Sequence, residues 1–227
     1  YIIKDGGSSD NSNEIISRYR EKLESRNIKF CYLTGKDSGI YDAMNIALKE
    51  ATGEWVNFMN AGDSFYSPYV LSDLFNNKQW TKCGILYGHT LCELERGYRY
   101  VQINNHNRLI DGIGISQQVC FVRKELLDKY PFSKRYKILG DFDFLLKMYS
   151  LNVSFINVNL IIANYNRQGV SSRHIYETTM ECHEILNQYR KQESFTVKDK
   201  FILKIKDYFI KRFPSVSDFL FCVHMSK

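Results

Sequence analysis

Three groups of carboxylates stand where a chain can put them to chemical use. Asp63 ends the run Phe58-Met59-Asn60-Ala61-Gly62-Asp63, an apolar strand closed by a turn. A strand that delivers an aspartate to the carboxyl edge of a sheet can hold a divalent cation against a phosphate; the alternative is a solvated or capping turn residue. Asp141 and Asp143 open the run Gly140-Asp141-Phe142-Asp143-Phe144-Leu145-Leu146-Lys147-Met148. Carboxylates there are an N-terminal cap favoured by the helix dipole, or a partly desolvated general base on a rigid element. Asp5 and Asp10 bracket Gly6-Gly7-Ser8-Ser9. That segment is a turn, or a ligand loop at the carboxyl end of a strand whose carboxylate accepts from a base N–H; it lacks the Lys of a P-loop.

Polar residues elsewhere add to these. Asp37 or Ser38 caps a helix carrying Ala43, Met44, Ala47, Leu48 and Ala51, with Asp42 and Asn45 on its first turns. Such a helix start faces a phosphate or only its own cap. Gln117 and Gln118 interrupt the apolar run Ile115 to Phe121, and once buried they must bond backbone or the hydroxyls of a sugar. His174 and His183 have no carboxylate or Cys at ligand spacing and are read as structural or surface residues. The six cysteines form no CxxC pair and no zinc-finger spacing, the pattern of buried thiols in a reducing compartment.

The elements that must position these groups alternate between strand and helix. Tyr1 to Lys4 and Ile28 to Leu33 read as strands joined by a helix that runs from Asp10 or Ser12 to about Arg26. That order predicts a parallel crossover unit. A helix ending at Gly53, a strand over Glu54 to Met59 and a helix over Ser67 to Asn77 follow. Strands are expected at Gly84 to Gly88, Tyr98 to Ile103, Val153 to Val158 and Leu160 to Tyr165, and helices at Arg123 to Tyr130 and Thr178 to Gln192. Asn104 to Gly114 reads as a loop able to act as a lid, and Gly169 to Ser172 as a turn.

The bulk numbers fit one α/β domain with extra helix: 227 residues, 44% hydrophobic and 25% charged. The net charge of +6 is uneven: Ser194 to Lys227 hold seven Lys/Arg against three Asp, which leaves the body near +2. That excludes a nucleic-acid-binding body, which needs a basic face. Lys200 to Phe213 is amphipathic, with Lys200, Lys204 and Lys211 opposite Phe201, Ile205 and Phe209. It packs on its own domain or lies on a membrane surface. No apolar run reaches the length of about 18 residues that a spanning helix needs. The chain opens on Tyr1-Ile2-Ile3, already a strand and without a Met, and reads as a piece of something longer.

Together the motifs resemble a family 2 glycosyltransferase with the GT-A fold, in the branch that builds bacterial exopolysaccharide, capsule and O-antigen chains. The likeness covers Tyr1 to about Ser172, and four motifs stand in the family's order. Ile3 to Asp10 is similar to the donor-base loop, which implies that Asp5 and Gly6 bind the donor. Asp37 to Asn45 is similar to the second nucleotide segment, with Asp37 its contact. Phe58 to Asp63 stands at the DxD element; Asn60 and Gly62 occupy its early acidic positions, so both are assigned to the donor site and Asp63 to the metal. Gly140-Asp141-Phe142-Asp143 is similar to the Glu-Asp base motif, with Gly140 in place of Glu and Asp141 as the base. Gln117-Gln118 resembles the family's His-Gln pair and, with Asp143, implies acceptor binding.

The resemblance implies an α/β fold with a Rossmann-like, mostly parallel sheet flanked by helices. It places the GT-A domain at 1–175 and a basic, amphipathic helical extension at 176–227. The family's first βα unit, roughly 30 residues that wall the nucleotide pocket, is expected to be missing here. The implied activity is inverting transfer from a nucleotide-sugar, most often a UDP-sugar, to a saccharide or lipid-linked acceptor. Mg²⁺ or Mn²⁺ is the implied cofactor, and the cytoplasm, or the inner membrane face through Lys200–Phe213, the implied place. Two other readings are a sugar nucleotidyltransferase and a non-catalytic saccharide-binding protein.

Overall fold

In the computed structural model the described residues are 1–76, 80–93, 99–112, 114–166 and 174–189, with 208 and 212. The opening follows the sequence reading. Strand β1 (Ile2–Asp5) pairs in parallel with β2 (Cys31–Thr34), from Ile2 opposite Cys31 to Asp5 opposite Thr34. Helix α1 (Ser12–Glu24) makes the crossover, and none of its residues is buried. Helix α2 (Ile40–Leu48) follows, burying Tyr41, Met44 and Leu48.

A second sheet of six strands carries the core. Its members are β3 (Trp55–Val56), β4 (Ser64–Phe65), β5 (Ile85–Glu93), β6 (Arg99–Gln102), β7 (Cys120–Arg123) and β8 (Phe155–Asn166), in the order β3-β7-β5-β8-β4 with β6 on β5. Only β5 with β8 is parallel there; the pairs β3–β7, β5–β7, β5–β6 and β4–β8 are antiparallel. The α/β architecture is as read, but the sheet is mixed rather than mostly parallel. Parallel neighbours need a crossover of a dozen or more residues. Helices α4 (Lys124–Lys129) and α5 (Gly140–Ser150) span β7 to β8, whereas short returns such as β5 to β6 reverse the chain. An apolar cleft of about 780 Å³ lies between the sheets, lined among others by Ile2 and Cys31 of the first and by Trp55 and Phe65 of the second.

Several element bounds differ from the sequence reading. The two strands expected around Asn159 are one twelve-residue strand, β8, with Asn159 at φ 53 beside a register shift opposite Tyr87 and His89. A bulge interrupts the alternation without ending the strand. Helix α3 covers Val70–Phe75 alone. The expected lid is fastened down: a 3₁₀ turn over His106–Asp111 buries Leu109 fully, His106 stacks on Phe155 at 5.3 Å, and Asn104 Nδ2 donates to the Gly88 carbonyl at 2.8 Å. Helix α6 (Ile175–Tyr189) begins three residues earlier than expected. The turn Gly169 to Ser172, the helix Lys200 to Phe213 apart from Tyr208 and Arg212, and the basic tail lie outside the described residues. Among the described residues no helix is long and apolar enough to cross a membrane.

The core runs through β5, β7, β8 and α5, where Ile85, Leu86, Leu146, Met148 and Ile162 are fully buried. Helix α5 buries six of its eleven residues, so its first turn is a rigid platform.

Candidate active site

A cavity of about 860 Å³ opens where α2, the β3–β4 turn, the Gln117–Val119 turn and α5 converge. Asn60, Gly62, Asp63, Gln117, Gln118 and Asp141 line it, so six of the ten residues singled out in the sequence meet at one cavity. Asp5, Gly6, Asp37 and Asp143 are not among its lining.

Asp63 is aimed by its turn. Its N–H donates to the Asn60 carbonyl at 3.1 Å, and Gly62 at φ 93 takes the left-handed conformation that a β-carbon disfavours. Gln118 Nε2 donates to Asp63 Oδ2 at 2.6 Å. Asn57 holds the segment that carries Gln118, donating to the Gln118 and Cys120 carbonyls at 2.9 Å each. Gln117 is turned inward, its amide against Met44 Sδ at 3.3 Å. Both buried glutamines therefore find partners inside the protein.

Asp141 projects from the first turn of α5. Burial raises its carboxyl pKa; the Tyr41 hydroxyl and the N–H groups of the helix start pull it down, and the charge of Glu181 pushes it up again. Tyr41 lies under it: the hydroxyl contacts Asp141 Oδ1 at 2.9 Å and the Ile138 carbonyl at 2.6 Å. Burial, then the charge of Asp141, drives the Tyr41 pKa far up, so the phenol stays protonated and serves as a hydrogen-bond donor. The same ring explains Gly140. A β-carbon there would come within 2.8 Å of Tyr41 Cδ2 and Cε2. Asp143, two residues on, is not among the cavity's lining; burial raises its pKa and the charges of Lys147 and Arg135 oppose that.

The first two loops form a separate edge beside this cavity. Asp5 accepts from the Gly7 and Ser8 N–H groups at 2.9 Å each and from the Ser8 hydroxyl, and these bonds, the hydroxyl first, lower its pKa. Lys4 Nζ joins the two loops, reaching Asp37 Oδ2 at 2.8 Å and the Asp5 and Gly35 carbonyls at 2.9 and 2.7 Å. Asp37, held down in pKa chiefly by Lys4, lies three residues before Ile40, which lines the cavity.

Among the described residues no group of three or more His, Cys, Asp or Glu could hold a metal ion. One carboxylate suffices for a cation that arrives with a diphosphate, because Mg²⁺ takes one or two carboxylates plus substrate phosphates. Asp63 at the cavity wall fits that arrangement. Tyr41, Lys137, Gln102 and Tyr165 also line the cavity and were not singled out in the sequence. Tyr41 does stand inside the second motif, next to Asp42, but nothing in its spacing pairs it with Asp141, one hundred residues on.

Residues 1–142 match the profile of the family described as Glycosyl transferase family 2. Over 181 residues the chain is 29% identical to the PGL/p-HBAD biosynthesis glycosyltransferase of Mycobacterium bovis (strain BCG / Pasteur 1173P2), covering 78% of this chain and 68% of that protein. The fold is similar to S. aureus TarS 1-349 solved in complex with UDP, with a TM-score of 0.57 at 18% identity over 92% of this chain. It is also similar to the mannosyltransferase PcManGT from Pyrobaculum calidifontis in complex with GDP-Man and Mn2+, with a TM-score of 0.57 at 15% identity over 91% of this chain. The chain spans 61% and 59% of those two solved chains.

Proposed function

This chain belongs to glycosyl transferase family 2 and has the GT-A fold, and on that premise we propose that it is an inverting transferase moving a sugar from a nucleoside diphosphate to a saccharide or lipid-linked saccharide. The observation that carries the reading is Asp141, a desolvated carboxylate of raised pKa on the wall of a cavity that also holds Asp63. A base must be ionised at working pH and still hold a proton well, and burial tunes a carboxylate that way.

In this reading the acceptor hydroxyl attacks the anomeric carbon as its proton passes to Asp141 Oδ, and the bond to the diphosphate oxygen breaks on the opposite face. Tyr41 holds the carboxylate in place. Asp63 would bind Mg²⁺ or Mn²⁺ together with the donor phosphates, which adds positive charge at the leaving group. Lys137 brings further positive charge to the same cavity. Asp5, Gly6 and Asp37 take the base and ribose end, supported by their place at the carboxyl edge of the parallel β1–β2 pair. UDP is the first nucleotide to test, since TarS was solved with UDP and UDP-GlcNAc, and GDP the second, since PcManGT was solved with GDP-Man. The relative in Mycobacterium is named for PGL/p-HBAD biosynthesis. A role in capsule, exopolysaccharide or O-antigen synthesis therefore rests here on the motif likeness alone.

Calorimetric titration with UDP, with and without Mn²⁺, tests the nucleotide site, and UDP release from UDP-glucose, UDP-galactose and UDP-GlcNAc tests the reaction. Metal-enhanced UDP binding with release that Asp141→Asn abolishes is the expected result. No binding of UDP, dTDP or GDP would overturn the reading.

A further inference from the structure

Helix α6 lies beyond residues 1–142, the span matched by the family profile, yet it reaches back to the base. Glu181 on α6 accepts the backbone N–H groups of three consecutive residues: Lys137 at 2.9 Å, Ile138 at 3.0 Å and Leu139 at 2.9 Å. Hydrogen bonds to a carboxylate are about twice as strong as neutral ones, so this grip fixes the strand of backbone that enters α5. Two of the gripped residues, Lys137 and Ile138, line the cavity, and the third, Leu139, precedes the first residue of α5.

We infer that Glu181 is a positioning residue for the proton-accepting carboxylate, acting through the backbone of residues 137–139 and the Tyr41 hydroxyl. The inference rests on the assignment of Asp141 as the base. The Ile138 carbonyl and Asp141 Oδ1 both lie within reach of the Tyr41 hydroxyl. One hydroxyl has one hydrogen. It therefore serves Asp141 when that carboxylate is ionised. When Asp141 takes the acceptor's proton on the oxygen turned away from Tyr41, Oδ1 loses its charge and becomes the weaker acceptor, and the phenol hydrogen shifts toward the Ile138 carbonyl. The Ile138 carbonyl thus accepts the Tyr41 hydrogen bond that Asp141 releases on protonation, and Glu181, gripping the Leu139 N–H of that same peptide unit and the Ile138 N–H of the one before it, holds the carbonyl at 2.6 Å from the phenol.

Helix α6 is seated firmly enough to do this. Ile185 and Leu186 are buried, Glu184 pairs with Arg135, and Gln188 bonds the Tyr136 hydroxyl. Glu181 also acts by charge. The groups that bear on Asp141 are Tyr41 from α2, Cys120 from β7 and Glu181 from α6, while Lys137 and Asp63 share its cavity. Of these, Glu181 raises the Asp141 pKa through its negative charge.

The test compares wild type, Glu181→Gln, Glu181→Ala and Asp141→Asn in UDP release from whichever of UDP-glucose, UDP-galactose and UDP-GlcNAc the wild type turns over, water standing in for the acceptor. Glu181→Gln keeps size and helix but cannot accept at its nitrogen. The expected result is a kcat lowered about 10- to 100-fold, the scale of a misplaced catalytic group. KM for the nucleotide-sugar should stay within about 2-fold, and the acidic limb of the kcat–pH profile should move to lower pH because a neighbouring negative charge is gone. Glu181→Ala should do the same more strongly. Unchanged kcat and pH limb in Glu181→Gln, with Asp141→Asn inactive, would overturn the inference and leave the base standing. Equal losses in kcat and UDP affinity, with no movement of the pH limb, would also overturn it, showing only a structural brace. Full release by Asp141→Asn would remove the base and this inference together.

Discussion

Adding one methyl group at Gly140 should impair this site without replacing any polar residue. The new β-carbon would stand 2.8 Å from Tyr41 Cδ2 and Cε2 and 3.0 Å from Cγ. Carbon atoms pack at about 3.5–4.0 Å, so the ring must retreat by roughly 0.7 Å or more. It has little room, since Tyr41 is 4% exposed and packs against Phe132 at 5.7 Å between centroids. Overpacking of this kind costs about 1–3 kcal/mol, and replacing Gly by Ala in a helix returns about 0.5–1. A net loss of about 1–2 kcal/mol lowers Tm by roughly 2–8 °C in a chain of this length. The same retreat stretches the 2.9 Å contact to Asp141 beyond hydrogen-bond reach. The hydroxyl bond lowers the Asp141 pKa, so its loss sends that pKa further up and moves the acidic limb of the kcat–pH profile to higher pH. The assay is UDP release across pH 5 to 9, beside thermal unfolding. Tyr41→Phe is the control: it should move the same limb the same way without the steric cost. If Gly140→Ala melts like wild type and releases UDP at the wild-type rate, the packing argument for Gly140 is wrong.

Other outcomes follow from the same contacts. The folded-state pKa of Asp141 is raised, so wild type is at full strength below the ordinary carboxylate value of about 4 and loses that contribution as pH rises through the folded pKa. Asp141→Asn should therefore gain Tm relative to wild type between pH 4 and 8, and a difference that stays flat across that range would contradict it. Lys4→Met removes the cation that ties the loops after β1 and β2, from a partly buried pair whose side chains are 7% and 16% exposed. Hydrogen bonds to charged groups contribute about 1.5–3 kcal/mol, so urea midpoint and UDP affinity should both fall; an unchanged UDP Kd would detach these loops from the nucleotide. Gly62→Ala places a β-carbon at φ 93, at a strain of about 1–2 kcal/mol. It should weaken Mn²⁺-dependent UDP binding more than metal-free binding, and equal weakening would separate Asp63 from the metal.

How much of this could be read without coordinates depends on the distance over which each feature is decided. The β1–α1–β2 unit and the starts of helices α2 and α5 follow from apolar periods within a dozen residues, and the structure has them close to where the pattern places them, although α2 ends at Leu48 rather than at Gly53 and the N-cap residues of α1, α2 and α5 make no side-chain capping bond. The carboxylates were legible for the same reason: Asp63 and Asp141 each end or begin a local element, and each lies at the cavity. Strand direction was not legible, because a period of two is the same in a parallel and an antiparallel strand; only the route of the connection sets it. The expected lid failed similarly, since its polar, glycine-bearing composition does not show that Leu109 and Asn104 are buried against β5 and its neighbours.

By itself, then, the sequence determined which residue types stand at the ends of which elements, and through four ordered motifs the family. The tertiary structure alone decided the partnerships: Tyr41 with Asp141 across one hundred residues, Gln118 with Asp63 across fifty-five, and Glu181 with the backbone at Ile138 across forty-three. Local patterns report what one element prefers. Those pairs depend on how separate elements pack, where a side chain takes whichever buried polar group is left without water.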